Sequence, residues 1–136
     1  MHRLAGPLSA ILLAGTLIGC KATVTGIDLS GTWGGPHIEL RLLGDSATLE
    51  YDCAHGKIEE PLRPDSRGRF QATGVHVREH GGPIHEDETP DEHPASYTGR
   101  TDGREMTLTV TLTDTGERVG TFLLVRGRAG IVFKCL

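Results

Sequence analysis

The sequence predicts an all-β domain, a small antiparallel barrel of about eight up-and-down strands. Apolar and polar residues alternate with period two in one segment after another, as in strands with one buried face. Turn-forming residues break that alternation at short intervals. The 19 glycines and many threonines suit turns and strands better than long helices. Closure into a barrel would remove exposed strand edges, and two stacked sheets in a β-sandwich are the alternative.

The elements follow in chain order. Met1-His2-Arg3 gives a short basic start, Leu4 to Ile18 is apolar, and small residues end the stretch. That order is a secretory signal over residues 1–19, excluded from the fold. Residues 20–30 read as an N-terminus and tether, and residues 31–136 as one barrel domain. In the first predicted strand Ile38, Leu40 and Leu42 alternate with Glu39 and Arg41. Gly44-Asp45 turns the chain into the second, where Ala47, Leu49, Tyr51 and Cys53 share a phase. Ala54-His55-Gly56 leads to a weaker strand over Lys57–Leu62, and the turn Pro64–Gly68 follows. Arg69–Arg78 is longer, with Phe70 and Ala72 on one phase and Val75 and Val77 on the other. A bulge near Gly74 would reconcile them. After a polar loop from Glu79 to Pro94 come Ala95–Arg100 and a turn over Thr101–Arg104. Met106, Leu108, Val110 and Leu112 then alternate with four threonines in the cleanest strand. Arg118–Arg126 and Ile131–Leu136 complete the set.

Length and charge bound the function. A chain of 136 residues fits one domain, and its net charge of −4 and pI near 5.9 lack the basic footprint of a nucleic-acid binder. No run of about 18 strongly apolar residues demands a membrane span. No Gly-x-Ser-x-Gly elbow, His-Glu-x-x-His helix or phosphate-cradling glycine loop is present, so the reading is not an enzyme.

Two short motifs and the chain as a whole carry resemblances. Leu17-Ile18-Gly19-Cys20 resembles the lipobox of bacterial lipoproteins. The resemblance implies cleavage before Cys20, acylation of that residue, and anchoring in the cell envelope. Lys21 in the next position points to the outer membrane, facing the periplasm. Gly31-Thr32-Trp33 resembles the Gly-x-Trp signature of lipocalins and avidins, which implies a calycin-like barrel. Trp33 is then a candidate ligand-binding residue, with a barrel plug as the alternative, and one tryptophan is too few for a biotin pocket. The chain is also similar to a group of bacterial lipoproteins sharing stretches such as Asp52–Gly56, Glu79–Pro83 and Phe133–Leu136. That likeness implies no particular activity.

With Cys20 lipidated, Cys53 and Cys135 remain, and an even remainder in an oxidising compartment reads as a disulfide. Two free thiols are the alternative. The pairing meets a difficulty, because strands two and eight would flank strand one at a spacing of nearly 10 Å, beyond disulfide reach. The bond therefore requires both cysteines to lie past the start of strand one, at a narrowing rim.

If the strands alternate up and down, every second connection lies at the same end. His37, His55, His80, His85 and His93 then gather on one rim, with His76 just before it, and the other rim carries Asp45, Asp65, Arg67, Asp102, Arg104 and Arg128. His37, His55 and His80 are the candidate metal ligands, for zinc, copper or nickel, with Glu79, Glu86 and Glu88 to orient or supplement them. The alternatives are a solvated loop for His85 and His93, and turn-backbone hydrogen bonds for His37 and His55. The tether is expected to enter at this same rim. Two functions follow: an anchored module binding a small molecule or metal ion, or an envelope interaction or inhibitor protein with a filled barrel.

Overall fold

The computed structural model describes residues 26–136. The signal sequence, Cys20 and most of the tether lie outside the described residues. The described chain forms eight strands: β1 (Gly31–Gly35), β2 (Ile38–Leu43), β3 (Ser46–Tyr51), β4 (Ala54–Ile58), β5 (Arg69–Arg78), β6 (Asp91–Thr101), β7 (Glu105–Leu112) and β8 (Arg118–Arg126). They close in sequence order into one antiparallel barrel, so the expected architecture is observed and the sandwich is not.

The strand count agrees with expectation, but the frame differs. Gly31–Gly35 is itself a strand, so the segment expected to open the barrel is β2. Ile131–Leu136, expected as the last strand, joins no ladder and contributes one isolated parallel bridge, Pro36 to Ile131. Sequence could not separate these cases, since Ile131–Leu136 alternates like an edge strand while Gly34 and Gly35 hide the pattern of β1.

The consequence is an inversion. The turns β1–β2, β3–β4, β5–β6 and β7–β8 form one end, here the histidine rim, and the opposite end is the arginine rim. Because β1 precedes β2, the chain enters at the arginine rim. The expected tether position at the histidine rim is therefore wrong.

Period two explains the core. Trp33, Ile38, Leu40, Leu49, Ile58, Tyr97, Met106, Leu108, Val110, Leu112 and Leu124 are completely buried inside the barrel. Leu29 and Leu62 close its arginine end. The bulge expected near Gly74 is absent, and β5 pairs without interruption on both sides. Its inward phase runs Phe70, Ala72, Gly74, His76, so Val75 and Val77 face outward. A side chain at position 74 would collide with the Lys57 carbonyl and the Tyr97 ring, which is why the inward phase is interrupted there in sequence. The register irregularity lies elsewhere, between Val110 and Thr111.

Closure is uneven. β5 and β6 pair over ten residues, but β1 and β8 share only two pairs, Trp33 with Arg126 and Gly34 with Val125. After β8 the chain doubles back over the outside of this seam as a strap, residues 128–136. Gly127 N donates to the Thr32 carbonyl at 2.7 Å, Ile131 N to Gly35 O at 3.0 Å, and His37 N to Ile131 O at 2.8 Å. Gly130 N donates to Glu39 Oε2 at 2.9 Å. Farther along, Phe133 N donates to Asp52 Oδ1 at 2.8 Å, and Lys134 Nζ donates to the Ala54 carbonyl at 2.7 Å. The Cys53–Cys135 disulfide ends the strap, with Cα atoms 4.9 Å apart across 82 residues of sequence. The expected pairing is thus observed, and the spacing difficulty disappears because Cys135 lies on the strap instead of on a flanking strand.

Gly34 makes this crossing possible. It points outward yet is buried, and a Cβ there would meet the backbone of Arg128, Ala129 and Gly130. Gly34→Val should therefore lift the strap, lowering stability in urea unfolding by about 1–3 kcal/mol, and trypsin should cleave faster after Arg128. Wild-type stability together with wild-type cleavage would contradict the packing described.

Candidate functional site

Above the packed core, the barrel is open at the histidine rim. A cavity of about 390 Å³ is walled by Tyr51, His76, Val119 and Phe122, with His37, Asp52, Arg78 and Glu79 around its edge. The inward phase of β5 carries His76 and then Arg78 to this mouth. Gly56, opposite His76 in the ladder, leaves room for the Tyr97 hydroxyl and the Val75 carbonyl, which a side chain there would strike.

Two polar atoms in the mouth are buried and unpartnered among the described residues: His76 Nδ1 and the Tyr51 hydroxyl. The two rings meet edge to face, with centroids 5.0 Å apart, and Tyr51 also packs against Phe122 at 5.6 Å. Tyr97 gives its proton to the Val75 carbonyl at 2.6 Å, so towards the neighbouring Tyr51 hydroxyl its oxygen can act only as an acceptor, and no hydrogen bond of good geometry joins the two. Burial pushes Tyr97 up to about 12 and pushes Tyr51 well above the ordinary tyrosine value. Both phenols are therefore neutral hydrogen-bonding groups at physiological pH. Burial, aided by the Arg78 charge, lowers the His76 pKa and favours neutral imidazole. An unpaired buried polar atom costs roughly 1–3 kcal/mol, so a molecule supplying partners would recover that cost.

His93 stands beside His76 as its cross-strand partner, and its environment is opposite. Its Nδ1 lies 2.7 Å from Asp114 Oδ2, and its Nε2 2.9 Å from Asp91 Oδ1. The Asp114 bond chiefly, with help from Asp91, raises its pKa. Arg78 and Glu117 pair at 2.7 Å, so two ion pairs tie β5 and β6 to the β7–β8 turn.

The candidate metal ligands do reach this end of the barrel, but separately. His37 sits in the β1–β2 turn with Nδ1 2.5 Å from Asp52. His55 is on the outer face of β4, bonded to Glu79 at 2.8 Å. His80 bonds the Gly81 carbonyl at 2.8 Å through Nδ1 and Glu88 through Nε2. Among the described residues no three His, Cys, Asp or Glu side chains come together to hold a metal ion. Parity fixes which end a turn occupies, not which face of the sheet a side chain takes, and each imidazole found its own partner. Of the three carboxylates proposed as helpers, Glu79 and Glu88 do bond histidines.

Trp33 does not line the mouth cavity. It is fully buried, its Nε1 donates to the Leu29 carbonyl at 2.8 Å, and Arg126 lies over its ring at 5.7 Å. The barrel-plug alternative fits these contacts. Sequence reasoning passes over His76 because a bulge near Gly74 would bring Val75 and Val77 onto the phase of Phe70 and Ala72 and turn His76 outward. The signal was available: continuing the Phe70–Ala72 phase by two and four residues lands on Gly74 and His76.

Two turn residues at this rim have left-handed backbones without being glycine, His37 (φ 67°) and Cys53 (φ 49°). Such residues are uncommon and persist where their surroundings hold them. Both are held by the strap, His37 through its N–H to Ile131 and Cys53 through the disulfide and a 3.2 Å bond to Phe133 O.

Comparison of the chain with protein-family models, curated proteins and solved structures finds no match.

The two neighbouring imidazoles should titrate on opposite sides of the ordinary value near 6.5. For His76 the folded value is depressed, so stability falls as pH drops from 6.5 through that lower value. For His93 the folded value is raised, so its stabilisation is complete below 6.5 and is lost as pH rises through that higher value. NMR titration should separate the two midpoints accordingly. His76→Leu should flatten the acidic limb of the stability profile and His93→Gln the limb above 6.5. Coincident midpoints would refute the assignment.

Proposed function

We propose that this protein is an exported, lipid-anchored envelope protein that binds a small molecule in its barrel mouth. The carrying observation is the pair of buried, unpartnered polar atoms, His76 Nδ1 and Tyr51 hydroxyl, at a cavity of about 390 Å³. Buried polar atoms without partners are few in native proteins and call for an explanation, and ligand sites combine apolar walls with a few convergent polar groups. Phe122, Val119 and the Tyr51 ring supply the walls. The proposed ligand is therefore small and partly apolar, with groups that hydrogen bond to neutral imidazole and to a phenol. The role is binding rather than catalysis, and the separated histidines give the metal-ion version no support.

The Leu17–Cys20 motif supports acylation at Cys20 and outer-membrane anchoring facing the periplasm. The Cys53–Cys135 disulfide supports the same placement, since such bonds persist in oxidising compartments. A second reading, interaction with another envelope protein, draws on Ile84, Ile131 and Phe133, which are 83%, 61% and 63% exposed around the histidine rim.

Native mass spectrometry of the protein purified from its own host tests the binding role. Wild type should retain a small-molecule mass that the Tyr51→Phe, His76→Leu variant loses. A bare wild type, or equal retention by the variant, would remove the ligand reading and favour the protein-partner one. Separately, Cys20→Ala should move the protein from the membrane to the soluble fraction. Wild type recovered soluble with an unmodified terminus would refute anchoring.

A further inference from the structure

Charge is divided between the two ends of the molecule. Glu50, Asp52, Asp91, Asp114 and Glu117 crowd the histidine rim, together with the acidic β5–β6 loop. Of the ten arginines between residues 26 and 136, only Arg78 and Arg118 are at that end. The other eight occupy the half that ends in the arginine rim. Arg41, Arg69 and Arg126 pair there with carboxylates. Among the described residues, Arg63, Arg67, Arg100, Arg104 and Arg128 have no such partner, and all five are exposed.

The carboxylates at the same end are largely turned toward backbone. Asp65 accepts from the N–H groups of Arg67 and Arg69 at 2.8 and 2.9 Å. Asp102 accepts from those of Arg104 and Glu105, both at 2.8 Å. Glu60 caps Thr73, Glu59 pairs with Lys57, and Asp28 caps Ser30. These carboxylates keep their charge, and with Asp45 and Glu105 they number seven against the eight arginines and Lys57, so the positive excess at this end is small and sits on the exposed, unpaired guanidinium groups.

Exposed apolar side chains lie among these cations. Leu43 is 70%, Leu123 58% and Ile27 44% exposed, and Ile27 and Leu123 share a groove with Arg67 and Arg100. The preceding chain also leaves from this end, because Asp28, Leu29 and Ser30 are bonded to Arg126 and Trp33 there. Residues 20–25 span at most roughly 20 Å when extended. A lipid on Cys20 would keep the bilayer beside the arginine rim and out of easy reach of the histidine rim.

We propose that the arginine rim docks on an anionic phospholipid surface, with Leu43, Leu123 and Ile27 reaching into the headgroup layer. The barrel then stands with its mouth away from the bilayer, where the acidic rim also avoids a repelling surface. The proposal rests on the anchoring reading only for the position of the lipid. The rim's own affinity is measurable without it.

The test uses the full chain carrying Cys20→Ser, so that no acyl group contributes and failure of acylation does not confuse the result. Binding is measured by vesicle flotation on phosphatidylcholine alone and on phosphatidylcholine with roughly one third phosphatidylglycerol. We expect preferential binding to the anionic vesicles, loss of that preference in about 0.5 M salt, and a drop of at least about tenfold for Arg67→Glu, Arg100→Glu, Arg128→Glu. Arg118→Glu, with the same type of charge change at the histidine rim, should bind like the parent. Every protein compared shares the same N-terminus, so the leader cannot produce the difference. The milder Arg67→Gln, Arg128→Gln variant should weaken binding to the anionic vesicles in the same direction, and it keeps the test open if the charge-reversed variant misfolds. Equal binding to neutral vesicles, salt-independent binding, or equal weakening by Arg118→Glu would overturn the proposal.

Discussion

The barrel closes through a seam of two residue pairs between β1 and β8, and the rest of the structure depends on how that seam is held. β1 is fully paired with β2, but a ladder that short leaves groups on its β8-facing edge to find partners elsewhere, and an open seam would expose two edges. The strap answers this by running outside the barrel, bonding Gly35, His37 and Glu39 in passing, and ending in a covalent tie. Arg126 secures the other end, donating to the carbonyls of Asp28 and Ser30 while covering the Trp33 ring. In the chain-entropy model, a disulfide closing a loop of this length removes about 4–5 kcal/mol of denatured-state freedom. That is large beside the marginal stability of small domains.

Holding the seam also shapes the mouth. The strap fastens the β1–β2 and β3–β4 turns, where His37 and Cys53 keep left-handed backbones, and these turns border the cavity. The opposite side of the mouth is fixed electrostatically, by Arg78 with Glu117 and by His93 between Asp91 and Asp114. Between these restraints sit His76 and Tyr51, buried and unpaired. Sites held on rigid elements lose little ordering entropy on binding, and that is the physical sense in which this mouth is prepared.

Much of the fold was legible because its signals are local. Alternation in Ala47–Tyr51 and Met106–Leu112, and turn residues between them, determine strands without knowledge of their neighbours. The seam was not legible. Gly34 and Gly35 are small because the strap and the backbone of β8 press on them, a tertiary cause that leaves no periodic trace. Ile131–Leu136 looks like a strand because it is extended and partly covered, which is equally true of a strap. At the site, parity of connections placed the histidines at the right end but carried no information about sheet face or pairing. The phase at Gly74 alone hides His76, and one glycine is enough because it leaves no apolar marker on the inward phase between Ala72 and His76 while Val75 and Val77 stand out on the other.

Which end faces which way follows from the same correction. Starting the barrel with β1 puts the chain's point of arrival among the arginines and leaves the mouth at the far end. The strap-latched seam is tested most directly by hydrogen exchange, comparing the oxidised protein with the Cys53→Ser, Cys135→Ser variant under native conditions. If the strap holds the closure, amides of β1, β8 and residues 128–136 lose protection first, while β5, β6 and β7 keep theirs. Uniform loss across all eight strands, or loss beginning in β5 and β6, would contradict it.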